Sequence, residues 1–244
     1  MSGPEVMVRS PEDAGNSTPG YKDALKKLAH GVLEPLVRAL LAIGISADHL
    51  TAFGFILSLG AGLEFATGRF RIAAAFATAA GLCDILDGQL ARESGKVTRF
   101  GAFLDSTLDR IAEAALFVGL TWYYMAQLVD MAVNPPRVIA NLQHGLEPVT
   151  FLVIAIMAVM AMVGSFMVSY TRARAEGLGL ECKVGWFERP ERLVLLIVAG
   201  FFGLGPVIPG ALITLVFFSF ATAIQRMVHV WKITRSAGSR SQEV

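Results

Sequence analysis

The strongest constraint on this chain is the recurrence of apolar stretches about as long as a bilayer is thick. A helix needs about 20 largely apolar residues to cross a membrane, and six stretches approach or reach that length: residues 47–67, 72–91, 101–127, 148–171, 193–207 and 208–231. The 244 residues are 54% hydrophobic and only 17% charged, which excludes an ordinary soluble domain. The expected fold is an all-α integral membrane protein with six transmembrane helices, and no nucleic-acid partner is expected.

Six spans put both ends of the chain on one side. With that topology, eighteen of the 21 Lys and Arg fall on the face that carries the termini, and only Arg69, Arg71 and Arg137 fall on the other. The bias makes the crowded face cytoplasmic and the protein a multi-pass protein of the cell membrane. Cys83 and Cys182 show no disulfide or zinc spacing and read as single buried thiols.

Residues 1–20 are rich in Pro, Gly, Ser and charge and read as a disordered tail. From Tyr21 the pattern becomes helical: Leu25, Leu28, Val32, Leu36 and Leu40 recur on one face, with Lys22, Lys26 and Lys27 near the start. Residues 21–46 are therefore expected to form an amphipathic interfacial helix and its connection. The membrane domain then spans 47–235, with a short tail at 236–244. Within it, 128–147 reads as a loop because a Pro-Pro pair interrupts the apolar pattern. Trp122, Tyr123 and Tyr124 fit an aromatic belt at the membrane boundary.

Against this background the stretch DILDGQLARESGKVTRFGAFLDSTLD, residues 84–109, stands out for four aspartates. Asp84 and Asp87 are three apart and Asp105 and Asp109 four apart, so each pair projects from one face of a helix. The short Gly-containing connection folds the two helices side by side. A charged residue at the centre of a membrane helix costs about 2.5–3.5 kcal/mol on insertion scales. Four unpaired aspartates together therefore cost a sum comparable with the stability of a whole domain. Carboxylates in a stretch that itself contains no His or Cys favour Mg²⁺ or Mn²⁺ over zinc, and two divalent ions nearly cancel four charges. Such a site suits in-line displacement at phosphorus, with Arg92 placed to meet the phosphates. Two other readings stay open at this point. The acids can pair with Arg92, Arg99 and Arg110 in a structural network, or they can line the path of a divalent-cation transporter. A transporter, however, should carry polar groups across the bilayer, whereas here they stop at one side.

The spacing Asp84-x2-Asp87-Gly88-x2-Ala91-Arg92-x8-Gly101-x3-Asp105-x3-Asp109 resembles the complete signature of the CDP-alcohol phosphotransferases. The resemblance implies transfer of a phosphatidyl group from CDP-diacylglycerol to an alcohol with release of CMP, on six transmembrane helices preceded by an interfacial helix, in a homodimer. By the same resemblance, Asp84, Asp87, Asp105 and Asp109 hold two Mg²⁺ ions, and Asp109 is also the general base. Ser46, Ala47, Asp48, His49, Thr51, Gly88, Arg92 and Thr98 are implied to contact the CDP-lipid.

A second cluster lies in SYTRARAE (169–176), GWFERPERL (185–193) and QRMVHVW (225–231), which bring Arg172, Arg174, Arg189, Arg192 and Arg226 to the cytoplasmic end. Guanidinium groups gathered there suit a phosphate, although positive-inside anchoring also predicts them. These stretches resemble the phosphatidylinositol-phosphate synthases of actinobacteria. That likeness implies that Ser169, Arg172, Arg192 and Arg226 bind the phosphate of an inositol phosphate acceptor, with Arg172 standing where that group has Lys. Glycerol 3-phosphate is the alternative acceptor.

Overall fold

The structure is a computed structural model. It describes residues 34–240 apart from 96–97, 135, 137, 140, 142–146 and 204, with the backbone alone for 236–240. The expected tail at 1–20 and the first part of the amphipathic helix, 21–33, lie outside the described residues. The chain divides into two units, Met1–Ile45 and Ser46–Val244. In the first, residues 34–42 are helical and Glu34 pairs with Arg38 one turn on.

Six long helices are described in the second unit: α1 Ala47–Ala66, α2 Phe70–Glu93, α3 Arg99–Val133, α4 Pro148–Gly177, α5 Arg189–Phe202 and α6 Val207–Arg240. Their starts follow local chemistry. Ser46 caps α1 through a reciprocal box with His49, Thr98 caps α3 by accepting the Gly101 N–H at 2.9 Å, and Pro148 and Pro190 stand in the first turns of α4 and α5.

Main packing contacts run α1 to α2, α2 to α5, α5 to α6, α6 to α4, α4 to α3 and α3 back to α1, so the helices close a ring. Small residues set how closely they approach. A Cβ added at Gly119 on α3 would lie 2.0 Å from the Gly62 carbonyl oxygen, and one at Gly62 on α1 would lie 2.5 Å from that of Ala115. Backbones in such contact gain dispersion energy that lipid cannot match. Behind them Phe65, Phe117, Leu120, Ile208, Leu212 and Leu215 are fully buried. The outer surface, by contrast, carries Ile56, Leu63, Val118 and Phe217, each more than half exposed. Large apolar groups facing outward over small ones facing inward are what a lipid solvent permits.

Among the described helices, α1, α3, α4 and α6 are long and apolar enough to cross a membrane. The chain is a multi-pass membrane protein. α2 has the length but carries Arg71, Asp84, Asp87, Arg92 and Glu93, and α5 has only 14 residues because Gly203 ends it.

Three details differ from the sequence reading. α3 runs to Val133, so the segment expected to be a loop from 128 is helical for its first six residues, because Val129, Met131 and Val133 extend the apolar pattern before the prolines. α6 already begins at Val207, which shortens the turn expected over 205–210. Tyr124 leaves the expected aromatic belt for the core: it is 4% exposed and packs edge-on against Tyr123 and beside Phe151.

Candidate active site

α2 delivers Asp84 and Asp87 from its last three turns, and α3 delivers Asp105 and Asp109 from its first three. The turn that joins them runs through Gly95 to the Thr98 cap, and it brings the acids together. Asp84, Asp105 and Asp109 each offer a carboxylate oxygen within 4.8 Å of the other two. Asp87 is set apart from this trio. It is 6% exposed, and its Oδ2 accepts the Thr51 hydroxyl at 2.5 Å, so α1 pins the fourth carboxylate. All four aspartates line one cavity, together with Thr51, Gly54, Gly81, Glu113 and Arg189.

Among the described residues, Arg189 is the only cation lining that cavity. Its Nη1 lies 2.7 Å from Asp109 Oδ2 and 3.1 Å from Asp84 Oδ2. One guanidinium leaves the group of acids strongly negative. Among the described residues the lining contains no His or Cys, so the donors are hard oxygens at spacing that fits divalent cations of the Mg²⁺ or Mn²⁺ type. The residues fit such ions.

Other residues implied for the CDP-lipid fall in two groups. Ser46 and His49 are occupied with each other at the start of α1, with Asp48 in the first turn. Gly88 and Arg92 are neighbours along the helix: a Cβ at Gly88 would lie 3.5 Å from Arg92 Nη1, an ordinary contact. Arg92 is exposed, and Thr98 caps α3.

Beside the acids lies a cleft of about 410 Å³ whose lining includes all four residues implied for the acceptor phosphate, Ser169, Arg172, Arg192 and Arg226. Arg189 lines this cleft as well as the acidic cavity. The guanidinium groups are held firmly. Arg192, 1% exposed, donates Nε to Glu113 Oε1 at 2.8 Å and Nη2 to Glu113 Oε2 at 3.0 Å. Arg226, 2% exposed, donates to the carbonyls of Val184 at 2.8 Å and Val168 at 2.6 Å, and to Glu188 at 3.3 Å. Gly185 makes the Val184 contact possible. Its φ of +137° suits glycine, and a Cβ there would lie 3.1 Å from Arg226 Nη2. Arg172 is partly exposed and pairs with Glu176 at 2.8 Å and Glu188 at 3.7 Å.

The structural network expected as an alternative, Arg92, Arg99 and Arg110 on the aspartates, does not form among the described residues. Arg110 instead donates to the Ser106 carbonyl. Sequence reasoning put Arg189 in the arginine cluster but gave it no contact with the aspartates, and it gave Glu188 and Glu113 no place among the binding residues. The faint signals were the spacing of Arg189 and Arg192 in ERPER and the position of Glu113 one turn beyond Asp109.

Residues 45–231 match the CDP-alcohol phosphatidyltransferase family. The chain is 35% identical over 193 residues to the archaetidylinositol phosphate synthase of Methanothermobacter thermautotrophicus, covering 78% of this chain and 85% of that one. It is 34% identical over 207 residues to the phosphatidylinositol phosphate synthase of Mycobacterium tuberculosis, covering 82% and 86%. The crystal structure of the Mycobacterium tuberculosis phosphatidylinositol phosphate synthase with CDP-DAG bound superposes with a TM-score of 0.64 at 32% identity, over 81% of this chain and 92% of that one. The same enzyme in complex with manganese and citrate gives 0.65 at 32% identity, over 81% and 88%. This chain belongs to the CDP-alcohol phosphatidyltransferase family. It is an enzyme of phospholipid biosynthesis.

Proposed function

We propose that the enzyme transfers the phosphatidyl group of CDP-diacylglycerol to a hydroxyl of myo-inositol 1-phosphate, giving phosphatidylinositol phosphate and CMP. The observation that carries this reading is the shared wall at Arg189, which puts an arginine-lined cleft directly beside the acidic cavity. The arginines of the cleft are already paired with Glu113, Glu176 and Glu188, yet each guanidinium keeps N–H donors that a phosphate can accept and a neutral alcohol uses poorly. Relatives named for inositol phosphate products support the same choice.

In this reading Asp84, Asp87, Asp105 and Asp109 hold two divalent ions. When bound, the ions supply Lewis-acid stabilisation of charge on the diphosphate oxygens. Gly88, Arg92, Thr98, Thr51 and the start of α1 at Ser46–His49 orient the CDP end of the donor. Ser169, Arg172, Arg192 and Arg226 hold the acceptor's phosphate and so fix where its hydroxyl stands. Asp109 takes the hydroxyl proton. The freed oxygen attacks the phosphorus that bears the diacylglycerol ester, and the bond from that phosphorus to the bridging oxygen of CMP breaks.

The same proposal covers placement. All six helices cross the cell membrane, residues 21–46 lie along its inner surface, the catalytic domain is 47–235, the acids face the cytoplasm, and the protein is a homodimer. The positive bias of the terminal side supports that orientation.

Purified protein in detergent or liposomes, given CDP-diacylglycerol and each labelled alcohol in turn, tests the acceptor. Incorporation of inositol 1-phosphate well above free inositol and glycerol 3-phosphate is expected. Incorporation of an unphosphorylated alcohol alone sinks the reading.

A further inference from the structure

We propose that Glu113 is a positioning residue for the acceptor, setting where its phosphate is held relative to Asp109. Glu113 stands one turn beyond Asp109 on α3, and its carboxylate lines the acidic cavity. Arg192, from the first turn of α5, lines the cleft on the other side. The two meet in a bidentate pair at 2.8 and 3.0 Å, with 8% and 1% of their side chains exposed, so no water competes for either partner. Arg192 has five N–H donors. Two are given to Glu113 and one reaches the Phe187 carbonyl at 3.4 Å. The two that remain belong to the amino nitrogens, and their direction is set by the plane that Glu113 and Phe187 fix. The helix carrying Asp109 thereby aims the guanidinium that meets the acceptor.

A fork-on-fork pair holds the plane of a guanidinium, which a single contact or a point charge does not. Glu113 also neutralises Arg192, so its effect on the acceptor comes through direction and not through added attraction. A neutral amide in its place frees the charge but presents an N–H₂ to the Arg192 donors. The plane then turns, and an acceptor held by a turned guanidinium puts its hydroxyl out of line.

This inference rests on the reading of the cleft as the acceptor site. Glu113→Gln is therefore assayed for transfer to inositol 1-phosphate and to free inositol at saturating CDP-diacylglycerol, and for CMP binding by calorimetry. The expected result is a fall of about tenfold or more in kcat/KM for inositol 1-phosphate. The preference over free inositol should shrink, and the CMP Kd should stay within about twofold of wild type. Glu113→Asp should recover part of the loss. The double variant Glu113→Leu with Arg192→Met replaces the buried pair by apolar groups of similar volume, which commonly keeps a fold intact. It should bind CMP as wild type and lose the preference for the phosphorylated acceptor. Transfer by Glu113→Gln within twofold of wild type overturns the proposal, as does a parallel loss of CMP affinity in both variants, which would make the pair a strut. A wild-type enzyme that uses only free inositol means instead that the acceptor assignment has failed.

Discussion

In the acidic cavity four aspartates face the single guanidinium of Arg189, whereas in the adjoining cleft Arg172, Arg192 and Arg226 each already hold a carboxylate. The cavity keeps a large excess of one charge, and the cleft is close to balanced before any anion enters. An excess of carboxylates in a poorly solvated site demands divalent cations, which makes the first region a matter of charge. A balanced cleft attracts phosphate only modestly, and its value lies in the direction of its donors, which makes the second a matter of geometry. The enzyme is thus expected to fail outright when the charge of the cavity is disturbed, and to lose selectivity by degrees when the cleft is.

The largest effect tests the charge side of that contrast. Removing divalent ions with a chelator should abolish CMP release, and adding back Mg²⁺ or Mn²⁺ should restore it; turnover in the chelated enzyme would break the comparison at its root. Next comes Asp109→Asn, which keeps the shape and one oxygen but cannot accept the acceptor's proton. A loss of about 10²–10⁴ in kcat is expected from single-turnover release of labelled CMP.

The cleft should respond more mildly. Arg226→Gln, at a buried residue held by two carbonyls and Glu188, is expected to raise the acceptor KM roughly tenfold while the KM for CDP-diacylglycerol moves by less than about twofold. An equal rise in both would show that the two regions are not separable. The smallest change belongs to Arg172→Lys, because this side chain is 43% exposed and its partners are at the surface. A shift in acceptor KM of no more than a few-fold is expected, reduced further by salt. A loss as large as that at Arg226 would mean that exposure does not rank the cleft residues.

The acidic half of the site was legible in the chain because each aspartate pair lies within one turn of a helix, where spacing alone decides which side chains share a face. The caps at Ser46 and Thr98 are also local, but the sequence reading gave those two residues only a CDP-lipid role. The arginine half was legible only as a cluster of charges. Which acids Arg189 and Arg192 meet depends on contacts between residues far apart, 105 positions for Arg189 and Asp84 and 79 for Arg192 and Glu113. Tyr124 shows the same limit from the apolar side: its place after Trp122 and Tyr123 resembles a boundary belt, yet it is buried against Phe151 of α4.

Periodicity and hydropathy thus determined a helical membrane protein and the carboxylates that its chemistry needs, since both follow from how one helix repeats and from what lipid will not solvate. The ring of packed helices decided the rest: Asp87 held by Thr51, Arg189 set between cavity and cleft, and Arg192 gripped by Glu113. A helix pattern states which way a side chain faces, and only the neighbouring helix states what it finds there.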